Sequence, residues 1–96
     1  MRISELKDAS GKVLRNAKVL HHNGTRNLIS YETCVLCIKS VLGDELMYAD
    51  NDWWLHSGNV SATTLKQIKA FTGLNKAELT KAINNGQIRL DNLNGE

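Results

Sequence analysis

The sequence predicts an α+β fold, an antiparallel sheet of four or five strands built from hairpins and followed by two C-terminal helices packed on one face. Three observations predict it. Residues 12–56 are rich in β-formers and broken by short polar and glycine turns. Asn23-Gly24 stands between two strand-like runs, where a type I′ turn needs positive φ at both central positions. Residues 61–86 carry start and stop signals for two consecutive helices.

At 96 residues, with 42% hydrophobic and 23% charged, the chain reads as one ordinary globular domain. A core of this size covers about 60% of the unfolded surface, which leaves nothing for a second domain. The domain divides into a sheet part at 12–56, a helix pair at 61–86 and a polar tail at 91–96.

Taken in order, residues 4–11 form a polar lead with at most one helical turn. Residues 12–22 form a strand, with Ala17 and Val19 on one face and Leu14 and Leu20 on the other. After Asn23-Gly24, residues 27–41 are too long for one average strand. They form either a bent strand or two strands broken near Ser30. Alternation sets Ile29, Tyr31, Thr33, Val35 and Cys37 against Leu36 and Ile38. Gly43-Asp44 is the next turn and residues 45–49 the next strand. Asp50, Asn51 and Asp52 then make a polar turn before a strand at 53–56. There Trp53 and Trp54 point to opposite faces, one into the core and one outward. Residues 57–59 are the loop into the helices.

The first helix starts at Ser61 or Thr63, whose hydroxyls can accept from a first-turn N–H, and stops at Gly73, with Leu65, Ile68 and Phe71 inward. The second has Asn75 as N-cap, Glu78 in the capping-box position and Leu74 stapled to Leu79. Its buried side is Leu79, Ala82 and Ile83, and Gly86 stops it. The short connection packs the helices on each other at a steep angle. Residues 87–90 can add an edge strand through Ile88 and Leu90, and the tail beyond frays.

The formal charge of +2 is unevenly spread. Residues 1–60 balance seven basic against seven acidic groups, whereas 61–90 set Lys66, Lys69, Lys76, Lys81 and Arg89 against Glu78 alone. That asymmetry suits a polyanion partner and equally a solvated helix face. No apolar run approaches a membrane span and the N-terminus lacks the apolar region of a signal peptide, so the chain is expected to work in the cytoplasm, away from membranes. Two cysteines in such a chain favour free thiols.

Ser30-Tyr31-Glu32-Thr33, and later Ser61-Ala62-Thr63-Thr64-Leu65-Lys66-Gln67-Ile68-Lys69-Ala70-Phe71, resemble the Ser-Tyr-x-Thr and Ser-x-Thr-Thr-x-Lys-x-Ile-x-x-Phe motifs of small uncharacterised accessory proteins of tailed bacteriophages. The likeness covers residues 28–71. It implies a phage or prophage origin, hence a bacterial host cell, and a non-enzymatic accessory role; it supplies no catalytic residue.

Chemical motifs are few. Cys34 and Cys37 have redox or zinc spacing, and His21, His22 and His56 could complete a metal site. Inside an apolar β-run, however, positions i and i+3 face opposite sides, and no glycine knuckle or helix start is present. Two buried structural cysteines are the simpler reading. His21 and His22 precede a tight turn and point opposite ways, as loop residues do. Asp50, Asn51 and Asp52 lack the glycine and distal glutamate of a calcium loop. With no phosphate loop, nucleophile elbow or paired carboxylates, the chain is expected to be no enzyme and to need no metal or cofactor.

Two binding expectations remain. In the first, a host or phage protein is bound, and inhibited, through an aromatic and apolar surface including Tyr31, Tyr48, Trp53 or Trp54. Leu14, Leu20, Leu36, Ile38 and one tryptophan would crowd the sheet face that the helices leave free, marking a partner site or a homodimer contact. In the alternative, residues 61–86 act as a helix-turn-helix-like pair on DNA. Gly73 sits at the turn, and Lys66, Lys69, Lys76, Thr80, Lys81 and Asn84 face outward. Lys69 departs from that motif, which wants a small residue where the helices meet, and an αα-hairpin that only covers the sheet explains the same pattern.

Overall fold

The computed structural model describes residues 2–56 and 62–94. Strands β1 (Arg2–Lys7), β2 (Val13–His22), β3 (Thr25–Ser30), β4 (Thr33–Val41) and β5 (Asp44–Asp50) form an antiparallel meander. Helices α1 (Asn51–His56), α2 (Ala62–Thr72) and α3 (Lys76–Asn84) follow, and β6 (Ile88–Asp91) returns to pair parallel with β5. The class is α+β as expected, but the described sheet has six strands and is mixed, and a third helix precedes the expected pair. No described helix is long and apolar enough to cross a membrane.

Two-residue turns make three of the meander's four links, and residues 8–12 make the first. Asn23 and Gly24 have φ 48° and 77°, the left-handed pair that the sequence requires. Tyr31 and Glu32 take the same pair, φ 50° and 75°, without a glycine, so the long run from 27 to 41 is two strands and not one bent strand. The next turn is Leu42-Gly43, φ 51° and 88°, one residue before the expected Gly43-Asp44.

Two segments differ in kind from expectation. The polar lead is strand β1, because at the sheet edge Arg2, Glu5 and Lys7 can stay in water while Leu6 alone is buried. Residues 53–56 belong to helix α1, not to a strand. Asp50 ends β5 and accepts the Trp53 N–H on Oδ2 at 2.9 Å, an N-cap bond that turns the chain into a helix. Both indoles are therefore half-buried beside each other, ring centroids 6.0 Å apart, and both pack against the core. The expected loop at 57–59, and Ser61 as a helix start, lie outside the described residues.

One sheet face carries the core. The register aligns Ser4, Val19, Leu28, Leu36 and Ala49 across five strands, and His21, Arg26, Ile38, Met47 and Ile88 in the next row. Ile68 of α2 and Leu79 and Ala82 of α3 close over it. Leu36 and Ile38 are thus buried under helices and do not crowd the free face. The alternation failed because Val35 is an extra residue in a bulge, with Leu28 paired to Leu36 but Ile29 to Cys34. Asn16, at φ 60°, lies in a wider irregularity where residues 14–17 of β2 stand opposite Leu6 alone, and Leu14 packs on the core. Of the four aliphatic residues expected on the free face, Leu20 is there.

The helices rest on different strands, α2 on β1 and β3, α3 on β6. In α2 the buried residues are Thr64, Gln67 and Ile68, so Leu65 sits to the side of the expected stripe. Gln67 explains the shift. Its Oε1 accepts the Ser30 hydroxyl at 2.6 Å and its Nε2 donates to the Arg15 carbonyl at 3.0 Å, fastening α2 to β2 and β3. In α3 the capping box of Asn75 and Glu78 forms as read, over buried Leu79 and Ala82. Beyond β6 the chain is tied down as far as Asn94. The Leu93 N–H donates to Asp50 Oδ1, while the Asn94 side chain accepts from the Cys34 N–H and donates to the Cys34 carbonyl. That amide imitates a neighbouring strand.

Candidate functional site

The face opposite α2 and α3 is set by the pleat. One row runs across all six strands, Ile3, Leu20, Asn27, Cys37, Tyr48 and Arg89. A second holds His22, Thr25, Lys39 and Leu46, and a third Glu5, Lys18, Ile29 and Cys34. Ile3 is 61% exposed and Leu46 38%, while Leu20, Ile29 and Tyr48 are half-buried by their neighbours. The Lys39 ammonium lies over the Tyr48 ring, 5.2 Å from its centroid, a cation–π contact.

The expected aromatic set does not share this surface. Tyr48 lies on it and exposed Tyr31 stands at the β3–β4 turn. Trp53 and Trp54 are on α1, against the core. Ile3 and Leu46 were missed. Their signal was period-two alternation, hidden in β1 by its charges and in β5 by the unbroken apolar run Leu46 to Ala49.

The outer side of the helix pair is the second surface. Lys76, Thr80, Lys81 and Asn84 line one shallow groove of about 760 Å³ with Ala77 and Asn85, as helical spacing requires. Lys66 and Lys69 line another, about 550 Å³, with Ala70, Gly73 and the β1–β2 turn residues Asp8, Ala9 and Ser10. Asp8 Oδ1 accepts the N–H and hydroxyl of Ser10 and the N–H of Lys12, and these bonds, that to the Ser10 hydroxyl foremost, hold its carboxyl below the ordinary 3.8. The Thr80 hydroxyl is spent on the Lys76 carbonyl at 2.9 Å, leaving it able only to accept.

The cysteines are buried free thiols. Burial, then the Cys37 thiol and the Asp50 carboxylate, push Cys34 up to about 12, and burial chiefly raises Cys37. Both stay protonated and unreactive near neutral pH. His21 bonds Ser4 and His22 bonds Asn23, on opposite sheet faces, and among the described residues no three His, Cys, Asp or Glu side chains converge as a metal site would need.

Compared with known proteins, the chain matches a family of unknown function, DUF8033, over residues 1–88. No curated protein and no solved structure matches it.

Proposed function

We propose that this chain, which belongs to the DUF8033 family of unknown function, is a small non-enzymatic accessory protein that binds a protein partner through the open face of its sheet. The supporting observation is the apolar set Ile3, Leu20, Leu46 and Tyr48 on a face that α2 and α3 leave uncovered. An antiparallel sheet with one solvated face normally alternates apolar-in and polar-out. Here the outward positions of three strands hold large apolar side chains, each gaining about 25 cal/mol per Å² of apolar surface when a partner covers it. Tyr48, in contact with Lys39, adds an aromatic anchor with a polar tip. The phage-like motifs suggest the setting, a host or phage protein in the bacterial cytoplasm that occupancy of this face would inhibit.

The test uses Ile3→Asp and Leu46→Asp, both at exposed positions where a charge leaves the core intact. The immobilised wild type should retain a defined protein from host lysate that the double variant loses at unchanged melting temperature. The solution mass tells a foreign partner from a second copy of the chain. Equal retention by wild type and variant would sink the proposal.

A further inference from the structure

We infer that the outer side of the α2–α3 pair is a sequence-independent binding surface for the phosphate backbone of duplex DNA. This concerns a different surface from the open sheet face and a different partner.

Charge is the first observation. Lys66, Lys69, Lys76 and Lys81 pair with no carboxylate among the described residues, where the ion pair found is Arg26 with Glu45. The nearby acids are hydrogen-bonded to neutral donors and keep their charge. Glu78 accepts the Asn75 N–H in the capping box, and Asp8 is closed in its turn by Ser10 and Lys12. Four ammonium groups thus stand on the two helices against the carboxylates of Asp8 and Glu78, none of them in a direct ion pair, and the surface stays net positive.

Shape is the second. Both lysine pairs line grooves whose rims come close along the chain: Gly73 borders the first and Lys76 the second. Three peptide links separate those residues, so their Cα atoms lie within about 11 Å. A rigid polyanion with a charge every ~1.7 Å of axis presents several phosphates over that distance.

The lining chooses the kind of nucleic acid. Neither groove contains an aromatic side chain on which an unpaired base could stack. The available side-chain donors are the lysine ammonium groups and the amides of Asn84 and Asn85, because the Thr80 proton is taken by the Lys76 carbonyl. Leu79 and Ala82 hold α3 against the sheet, so it offers a side and not a protruding end. Such a surface contacts phosphates, which position a duplex without reading it.

The experiment titrates a fluorescein-labelled 20-base-pair duplex with the full chain between 50 and 200 mM NaCl. It compares wild type, Lys66→Ala with Lys69→Ala, and Lys76→Ala with Lys81→Ala. Four phosphate contacts give a log–log salt slope of about −3.6, or about 150-fold weaker binding across that range, and each double variant should bring the slope to about −1.8. All six positions changed here or in the sheet face being solvent-facing, circular dichroism and melting temperature should match the wild type. Ile3→Asp with Leu46→Asp should leave the slope unchanged. Absence of binding at 50 mM salt, a wild-type slope in both lysine variants, or tighter binding of the corresponding single strand would overturn the inference.

Discussion

Replacing Gln67 by leucine keeps the side-chain volume and removes the fastening between α2 and the sheet. Gln67 is 1% exposed and Ser30 4%, so water cannot substitute for the lost partner. Two hydrogen bonds disappear, the Ser30 hydroxyl at 2.6 Å and the Arg15 carbonyl at 3.0 Å, and both groups are left facing leucine. Neutral bonds contribute about 1 kcal/mol each and a buried unpaired group costs about 1–3, so the loss should be about 3 kcal/mol. Against the total of about 5–14 kcal/mol expected at this chain length, that is a large fraction. Thermal unfolding followed by circular dichroism should show the midpoint lowered by about 12–24 °C. Ser30→Ala in the same background separates packing from polarity: the double variant should cost less than the two single changes together, by about 1 kcal/mol. A loss under about 1 kcal/mol, or strict additivity, would refute a fastening role for Gln67.

Cys34 should react with a disulfide reagent at pH 8 far more slowly in the folded protein than in denaturant. Its pKa is raised from 9.0 to about 12, so the folded state holds its proton longer; stability from this group is full below pH 9 and falls as pH rises towards 12, and Cys34→Ala should make that alkaline decline shallower in denaturant titrations. Leu42 has φ 51° and is fully exposed, so Leu42→Asn, which tolerates the left-handed region, should raise stability by about 0.5–1 kcal/mol in urea unfolding.

The parts of this fold that could be read in advance are those whose signal is local. Asn23-Gly24 announces its turn because only a few residue types accept both left-handed positions, and Asn75 with Glu78 announces α3 because a capping box is complete within four residues. Tyr31-Glu32 adopts the first geometry without the chemistry that advertises it. The break near Ser30 was visible, its nature was not. Asp50 looked like turn composition, since nothing nearby tells that its carboxylate will cap Trp53 and hold Leu93. The face assignments of Leu14, Leu36 and Ile38 were lost to odd-numbered insertions, three residues in β2 and one in β4, which reverse a period-two pattern with no mark in composition. The lysine surface was legible because helical phase survives as long as the helix does. The apolar sheet surface was legible in principle, but Ile3 sits in a strand too charged, and Leu46 in a run too uniformly apolar, to show alternation.

The parallel pairing of β5 with β6 has a kinetic side. Every pairing from β1 to β5 joins neighbours through a short turn and can zip locally, whereas β6 reaches β5 only after the helices have formed and crossed the sheet. During that interval the β5 edge, with Met47 and Ala49 beside it, is an open template for another chain. The last strand therefore acts as a stopper that arrives late. Crowded, rapid synthesis is when this protein would most readily be captured by its own copies.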